Sequence, residues 1–246
     1  MQNPIYVGVS GQISLERRME TIARNMANVN TTGFRSEEMK FESLVSPVAR
    51  DNNQNVNFSS AGKTYISTNR GPVTQTGNPL DIAVNGDSYF SLQTPNGQVY
   101  TRDGRMIMTP EGGLVSVQGY PFLDNGGAPI QIDPANGTPR IAADGAIYQN
   151  NLQVAAIGLY QFQPDSNLHY GPNASVIPDK APIPVQGDAA NGVVQGFLEN
   201  SNVNGVVEMT RLIEVSRAFE RVEAMMRQQE ERSSQAIQTL GGKNNS

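Results

Sequence analysis

Three aspartates, Asp103, Asp133 and Asp144, come nearest in this chain to a catalytic set. Two carboxylates flanking a sugar linkage can cleave it, one as acid and the other as base or nucleophile. Each of the three, however, stands directly before Gly or Pro, where Asp is an ordinary turn residue. The one histidine, His169, has no cysteine or second histidine with which to hold zinc, and its neighbours Tyr170, Gly171 and Pro172 read as a loop. The absence of cysteine also removes disulfides and thiolate nucleophiles. No Gly-rich phosphate loop or nucleophile elbow is present. The expectation is therefore a protein that is not an enzyme, with no cofactor and no small-molecule substrate; a carboxylate-dependent glycosidase is the rival.

A different chemistry is offered by the amides of Asn25, Asn28 and Asn30, which crowd the end of a helical pattern although Asn is a weak helix former. They can fix register between packed helices, as a buried Asn does in coiled coils. They can also simply fray and cap a helix end beside Gly33. Both readings stand at this level.

The element that must carry these amides is a helix from Asn3 to about Val29. Asn3 suits the N-cap and Pro4 the first helical position. Apolar residues recur near a three–four spacing at Ile5, Val9, Ile13, Met19, Ile22, Met26 and Val29. Thr31 and Thr32 are poor helix formers, and Gly33 stands where such a helix stops. A second helix is expected after Asn204, a plausible cap, with Glu208 in the first turn. Its seam reads Met209, Leu212, Ser216, Phe219, Val222, Met226, Gln229, Ser233, Ala236 and Leu240, and Gly241–Gly242 ends it. Arg217, Glu220, Arg221 and Glu223 alternate charge on the outer faces. At 1.5 Å per residue the helices would run about 37 and about 50 Å.

Between them the pattern changes. Arg50 to Gly62 is polar and Asn-rich and reads as a linker or arm. Short apolar runs follow, at Tyr89–Gln93, Gln98–Arg102, Leu114–Val117, Pro121–Leu123, Ile130–Ile132 and Gln153–Phe162. Asn-Gly and Asp-Gly pairs, which suit tight hairpins, lie among them. Pro164 to Pro184 reads as a long irregular loop. The fold class is α+β: a mainly antiparallel β domain inserted between N- and C-terminal helices. Four segments are expected, namely an assembly helix (1–34), a linker and arm (35–79), a β-rich domain (80–195) and a C-terminal helix with its lead-in (196–246). One β domain cannot easily bury seams on two such helices, so the helices want each other or other chains. Burial against the chain's own β domain is the competing reading.

With 24 Gly, 15 Pro, no Trp and 37% apolar residues, a single large core is not expected. Net charge is −5 and no basic stripe exists, so no nucleic-acid partner is expected. The first residues lack the basic and apolar regions of a Sec signal, and no run of 18 apolar residues occurs.

The stretch "NMANVNTTGFR", Asn25 to Arg35, resembles the N-terminal signature of the flagellar rod and hook proteins. The matching residues are Asn25, Met26, Ala27, Asn28, Asn30, Thr31, Gly33, Phe34 and Arg35. "GFLENSNVN", Gly196 to Asn204, is similar to the signature that precedes that family's C-terminal helix, and it continues into "EMTRLIEVSRAFE". Centrally, "LDIAVNGDSYF" and "YTRDGRM" resemble β segments of the longer rod and hook proteins. "GYPFLDNGGAPIQID" and "IAADGAI" resemble the proximal-rod branch. Gly86 to Phe90 departs from the Gly-Gln-Gly-Phe-Phe usual in distal-rod members.

The resemblance implies a structural subunit of the basal-body rod spanning the periplasm. It implies assembly with other rod subunits and copies of itself, after passage through the flagellar type III export apparatus without a cleavable Sec signal. Distal rod or hook subunit is the alternative within the family, and export chaperone or adapter the alternative outside it. The implied assembly interface is Ile13, Met19, Ile22, Asn25, Met26, Asn28, Val29, Asn30, Thr31, Gly33 and Phe34 at one end. At the other it is Glu199, Ser201, Asn202, Val203, Met209, Leu212, Arg217, Phe219, Val222 and Met226.

Overall fold

The structure, a computed structural model, describes residues 3–40, 43–45, 57–59, 62–185 and 191–241. It is α+β, with a helix near each end and antiparallel strand pairs between them. The chain divides into two compact units. The first comprises Met1–Ala27, Glu37–Thr64 and Asn204–Ser246; the second comprises Asn28–Ser36 and Tyr65–Val203.

The first unit holds helix α1 (Asn3–Ala27) and helix α2 (Gly205–Gly241), which pack against each other. Met226 lies against Gly8, whose missing Cβ leaves room for it: an added Cβ would come within 3.0 Å of the Met226 sulfur. Further along, Ile22 and Asn25 share a cavity of about 350 Å³ with Glu208 and Arg211. Low numbers on one helix thus meet high numbers on the other, so the two run antiparallel. Asn204 caps α2, its Oδ1 accepting the Val206 and Val207 N–H groups at 3.1 and 3.3 Å. The second helix reaches Gly241; Gly242 lies outside the described residues. The first helix ends at Ala27, short of Val29, because the Asn28 carbonyl accepts the Thr31 N–H at 3.1 Å in a turn.

The second unit is built on a six-stranded sheet in the order Leu168–Tyr170, Val176–Pro178, Gly97–Thr101, Tyr89–Thr94, Leu159–Gln161, Ile183–Val185. A three-stranded sheet is formed by Arg140–Ile141, Ala146–Gln149 and Leu152–Ala156. Ile82, Phe90, Leu114, Phe122, Ile147 and Leu159 are central to its main core, and Tyr89, Tyr100, Tyr160 and Val176 to a smaller aromatic one.

Three expectations change. Pro164–Pro184 is not an irregular loop: it supplies three strands to the large sheet, and His169 lies on one of them opposite Ile177. The Asp179 carboxylate gathers this segment by accepting from Asn167 and Ser166, bonds that hold its pKa below the usual range. The expected strand Gln153–Phe162 breaks at Ile157–Gly158, where the Gly158 N–H turns aside to the Leu123 carbonyl at 3.0 Å. Pro121–Leu123 and Ile130–Ile132 enter the fold through isolated bridges and backbone bonds rather than continuous strands. Of the Asn-rich stretch, only the strand Asn57–Ser59 and Gly62 fall within the described residues.

Candidate functional site

The two terminal signatures meet in the second unit around one carboxylate. Glu199 ends the strand Phe197–Glu199, which pairs antiparallel with Val73–Gln75. It is 1% exposed. Its Oε2 receives Arg102 Nη1 at 3.1 Å, its Oε1 receives the Gly71 N–H at 3.0 Å, and Arg35 Nη2 lies 2.8 Å from Oε1 as an ion-pair contact. Arg35 and Arg102 are 2% and 1% exposed. Arg35 also donates to the Asn69 carbonyl, and Arg102 donates to the Gly86 carbonyl at 2.8 Å while its guanidinium sits 4.7 Å over the Tyr89 ring. Burial pushes the Arg102 pKa below its ordinary value, the Glu199 charge opposes this, and Arg35 reinforces it. Two guanidiniums therefore share one carboxylate in the interior. Removing that carboxylate strands both charges.

The backbone closes around this triad. The Gly33 N–H donates to the Glu199 carbonyl at 2.8 Å, the Ser36 N–H to Asn202 Oδ1 at 2.6 Å, and the Asn202 N–H to the Phe34 carbonyl at 3.3 Å. Gly33 is not the helix stop expected of it, since α1 ends six residues earlier. Its φ is +71°, and an added Cβ would lie 2.3 Å from the Asp103 nitrogen, so this is a site of close backbone approach. Phe34 is buried as an anchor, stacked on Tyr170 at 5.6 Å. Thr31 Oγ1 donates to Asn28 Oδ1 at 3.1 Å, while Val29 is half-buried and Asn30 exposed. Ser201 is buried, and its Oγ accepts the Val203 N–H at 3.2 Å. Glu199, Gly33 and Phe34 are thus used inside their own unit.

In the first unit Asn25 is likewise internal. Its Nδ2 donates to the Glu37 carbonyl at 2.9 Å and its Oδ1 accepts the Glu37 N–H at 2.8 Å, which ties the strand Glu37–Lys40 to α1. Both Asn25 bonds stay within the chain.

The helix seams divide into two faces. On α2, Leu212, Phe219, Val222 and Met226 are half-buried and Val215 is almost fully buried. At about 3.6 residues per turn these positions share one side. Met209 lies on the opposite side with Val206 and Ile213; the three are 54%, 77% and 49% exposed. Arg217 is exposed on that side too. On α1, Ile22 is buried and Met19 and Met26 half-buried, whereas Ile13 is 43% exposed together with Val9. The six-residue gap between Ile13 and Met19 marks where the apparent stripe passes from one face to the other. Val215, not the expected Ser216, is the seam residue here, and a strict 3-4-3-4 step through Leu212, Val215, Phe219, Val222 and Met226 marks it.

Each sequence-marked carboxylate serves a turn. Asp103 is bound by Arg105, Asp133 caps a short 3-10 helix by accepting from Ala135, and Asp144 accepts the Ala146 N–H. Arg102 was not singled out from its sequence; only its burial beside Glu199 reveals its role.

Residues 5–35 match the family pattern described as "Flagella basal body rod protein". Residues 83–149 match "Flagellar hook protein FlgE/F/G D1 domain", and residues 194–239 match "Flagellar basal body rod FlgEFG protein C-terminal". The chain is 51% identical over 244 residues to the flagellar basal-body rod protein FlgF of Mesorhizobium japonicum, across 99% of this chain and 100% of that one. It is 45% identical to FlgF of Rhizobium meliloti, across 98% and 99%. To the flagellar basal-body rod protein FlgG of Bacillus subtilis it is 30% identical, across 89% and 92%.

Proposed function

The chain belongs to the flagellar basal-body rod protein family and is a structural subunit of the rod; from that premise we propose that it occupies the proximal rod and polymerises through the outer faces of its terminal helices. The observation that carries this reading is the exposure of Val206, Met209 and Ile213 on the side of α2 turned away from α1. Large apolar side chains grouped this way on a soluble subunit mark a contact surface. The higher identity to FlgF than to FlgG supports the proximal position.

In this reading the inner faces of α1 and α2 pair in a coiled-coil-like layer, and the segments 1–34 and 196–246 are the assembly ends of the chain. The β-rich domain is 80–195, and 35–79 is the linker and arm. The buried Arg35–Glu199–Arg102 triad supports the assembly role indirectly, by holding the two signature segments in one rigid junction. The chain travels through the flagellar type III export apparatus and joins other rod subunits in the periplasm. The lack of cysteine suits a chain threaded unfolded.

Electron microscopy of basal bodies from a strain lacking the gene, beside strains complemented with the parent chain or with Val206→Ser/Met209→Ser/Ile213→Ser, tests this. Loss of the rod beyond the inner-membrane ring, restored by the parent and not by the triple variant, is expected. A rod that stops near the hook assigns the distal position instead. Complete hooks and filaments without the gene overturn the rod role. Normal swimming by the triple variant overturns the choice of helix face.

A further inference from the structure

Residues 192–202 run through the second unit as one strap. Its strands Val193–Gln195 and Phe197–Glu199 pair with Ile82–Val84 and Val73–Gln75, and neither of those has another strand partner among the described residues. Between the two strands the Gly196 N–H donates to the Asp81 carbonyl at 2.7 Å, and the Gly196 carbonyl accepts the Thr76 N–H at 2.8 Å. The Gly192 carbonyl accepts the Asn85 N–H at 2.8 Å, while Asn202 at the far end bonds Phe34 and Ser36. Gln195 reaches a separate stretch: its Oε1 accepts the Ile141 N–H at 3.1 Å and its Nε2 donates to the Pro139 carbonyl at 2.9 Å. Val193 is part of the main core, and Glu199 is the shared counter-charge of Arg35 and Arg102. Every one of these partners precedes the strap in the chain.

We propose that the strap is the closing element of the second unit: the part made by residues 65–185 stays open until the strap docks, and the unit gains its native packing in that step. Native domains are only marginally stable, so they cannot spare contacts on this scale. Without the strap, two inner strands lose their strand partner and the core loses Val193. The charges matter most. Arginine keeps its proton, so a body closed without Glu199 would bury two uncompensated guanidiniums. Arg102 also lies over Tyr89, a member of the aromatic core. An Arg102 that keeps its hydration therefore keeps that core open.

Chain order turns this into a timing device. Glu199 follows Arg102 by 97 residues. Synthesis proceeds from the N-terminus at about 5–20 residues per second, so Arg102 waits about 5–20 s for its counter-charge. A hairpin such as Tyr89–Thr101 needs only about 1–10 μs to form. Local strands therefore come and go while the unit as a whole is held open. The growing chain can be threaded over that interval, and closure is tied to the near completion of the chain.

Pulse-labelled hydrogen exchange during refolding of the full chain, read by mass spectrometry, tests this. The Gly33, Gly71 and Thr76 N–H groups report the strap, because their acceptors lie on Glu199 and Gly196. Leu92 and Val99, opposite each other in the large sheet, report the body. Both sets are expected to gain protection in one phase. Protection of Leu92 and Val99 in an earlier phase, while the three strap-bonded groups still exchange, overturns the proposal. Native-state exchange of Leu198→Ala, which trims a buried side chain on the strap, gives a second readout. Protection of both sets should fall by the same factor, about thirtyfold or more. A fall confined to Gly33, Gly71 and Thr76 shows that the strap opens alone and overturns the proposal too. Either failure leaves the rod role, which basal bodies report, where it stands.

Discussion

Glu199→Gln isolates the charge of the buried triad. Glutamine keeps the size of the side chain and an acceptor for the Gly71 N–H, now 3.0 Å from Oε1, but it cannot neutralise Arg35 and Arg102. Both guanidiniums are nearly fully buried, and arginine cannot shed its proton to escape the cost. Removing one partner of such a buried arrangement costs about 3–5 kcal/mol. In a domain of 150–250 residues each kcal/mol lowers Tm by about 2–4 °C, so the transition of the second unit should fall by about 6–20 °C. Near-UV circular dichroism reports that unit directly, through the buried rings of Tyr89, Tyr100 and Tyr160. The triple variant Arg35→Met/Arg102→Met/Glu199→Met, which replaces the whole triad by apolar side chains, should regain most of the loss. A Glu199→Gln protein that melts no lower than the parent would show that the two arginines are solvated or compensated elsewhere. The account of the junction would then be wrong.

Asn25→Ala should cost the first unit about 1–3 kcal/mol, because both backbone groups of Glu37 lose their partner, and the Glu37 amide should lose protection in hydrogen exchange. Gly33→Ala should destabilise the second unit by about 3 kcal/mol, through a strained φ and a clash with the Arg102–Asp103 backbone, as read in urea melts. Gly11→Ala, with no atom within 4 Å of the new Cβ, should instead strengthen α1 by about 0.5–1 kcal/mol in the same experiment. Burial first, and Tyr160 second, push the Tyr100 pKa up to about 12. The folded value lies above the unfolded value of about 10, so this stabilisation is whole below about pH 10 and is lost as pH rises towards about 12. Tyr100→Phe should flatten that alkaline slope in urea midpoints measured across the range.

The Arg35–Glu199–Arg102 junction and the helix pair divide two tasks within the chain. The junction gathers three distant segments at one carboxylate, and both of its oxygens are occupied. The helices carry apolar side chains on faces that their own unit leaves open. Residues of the signatures and of the helices beside them therefore serve different ends. Gly33, Phe34 and Glu199 build the chain internally, while Met209 and Ile13 remain available to a neighbour.

What the sequence by itself determined was local. The two helices, the Asn204 cap and the hairpins around Asn-Gly and Asp-Gly pairs all follow from propensity and spacing over a few residues. The α+β class follows from their order along the chain. Only the tertiary structure decided which side of each helix is covered, because a three–four pattern with a six-residue gap fits two faces until a partner helix selects one. It alone turned Pro164–Pro184 into sheet, since those strands pair with Gly97–Thr101 and Leu159–Gln161 and have little pattern of their own. It alone joined Arg102 to Glu199, residues 97 positions apart. A buried charge is stable only beside its counter-charge, and that neighbour is set by packing across the whole domain, which no local spacing encodes.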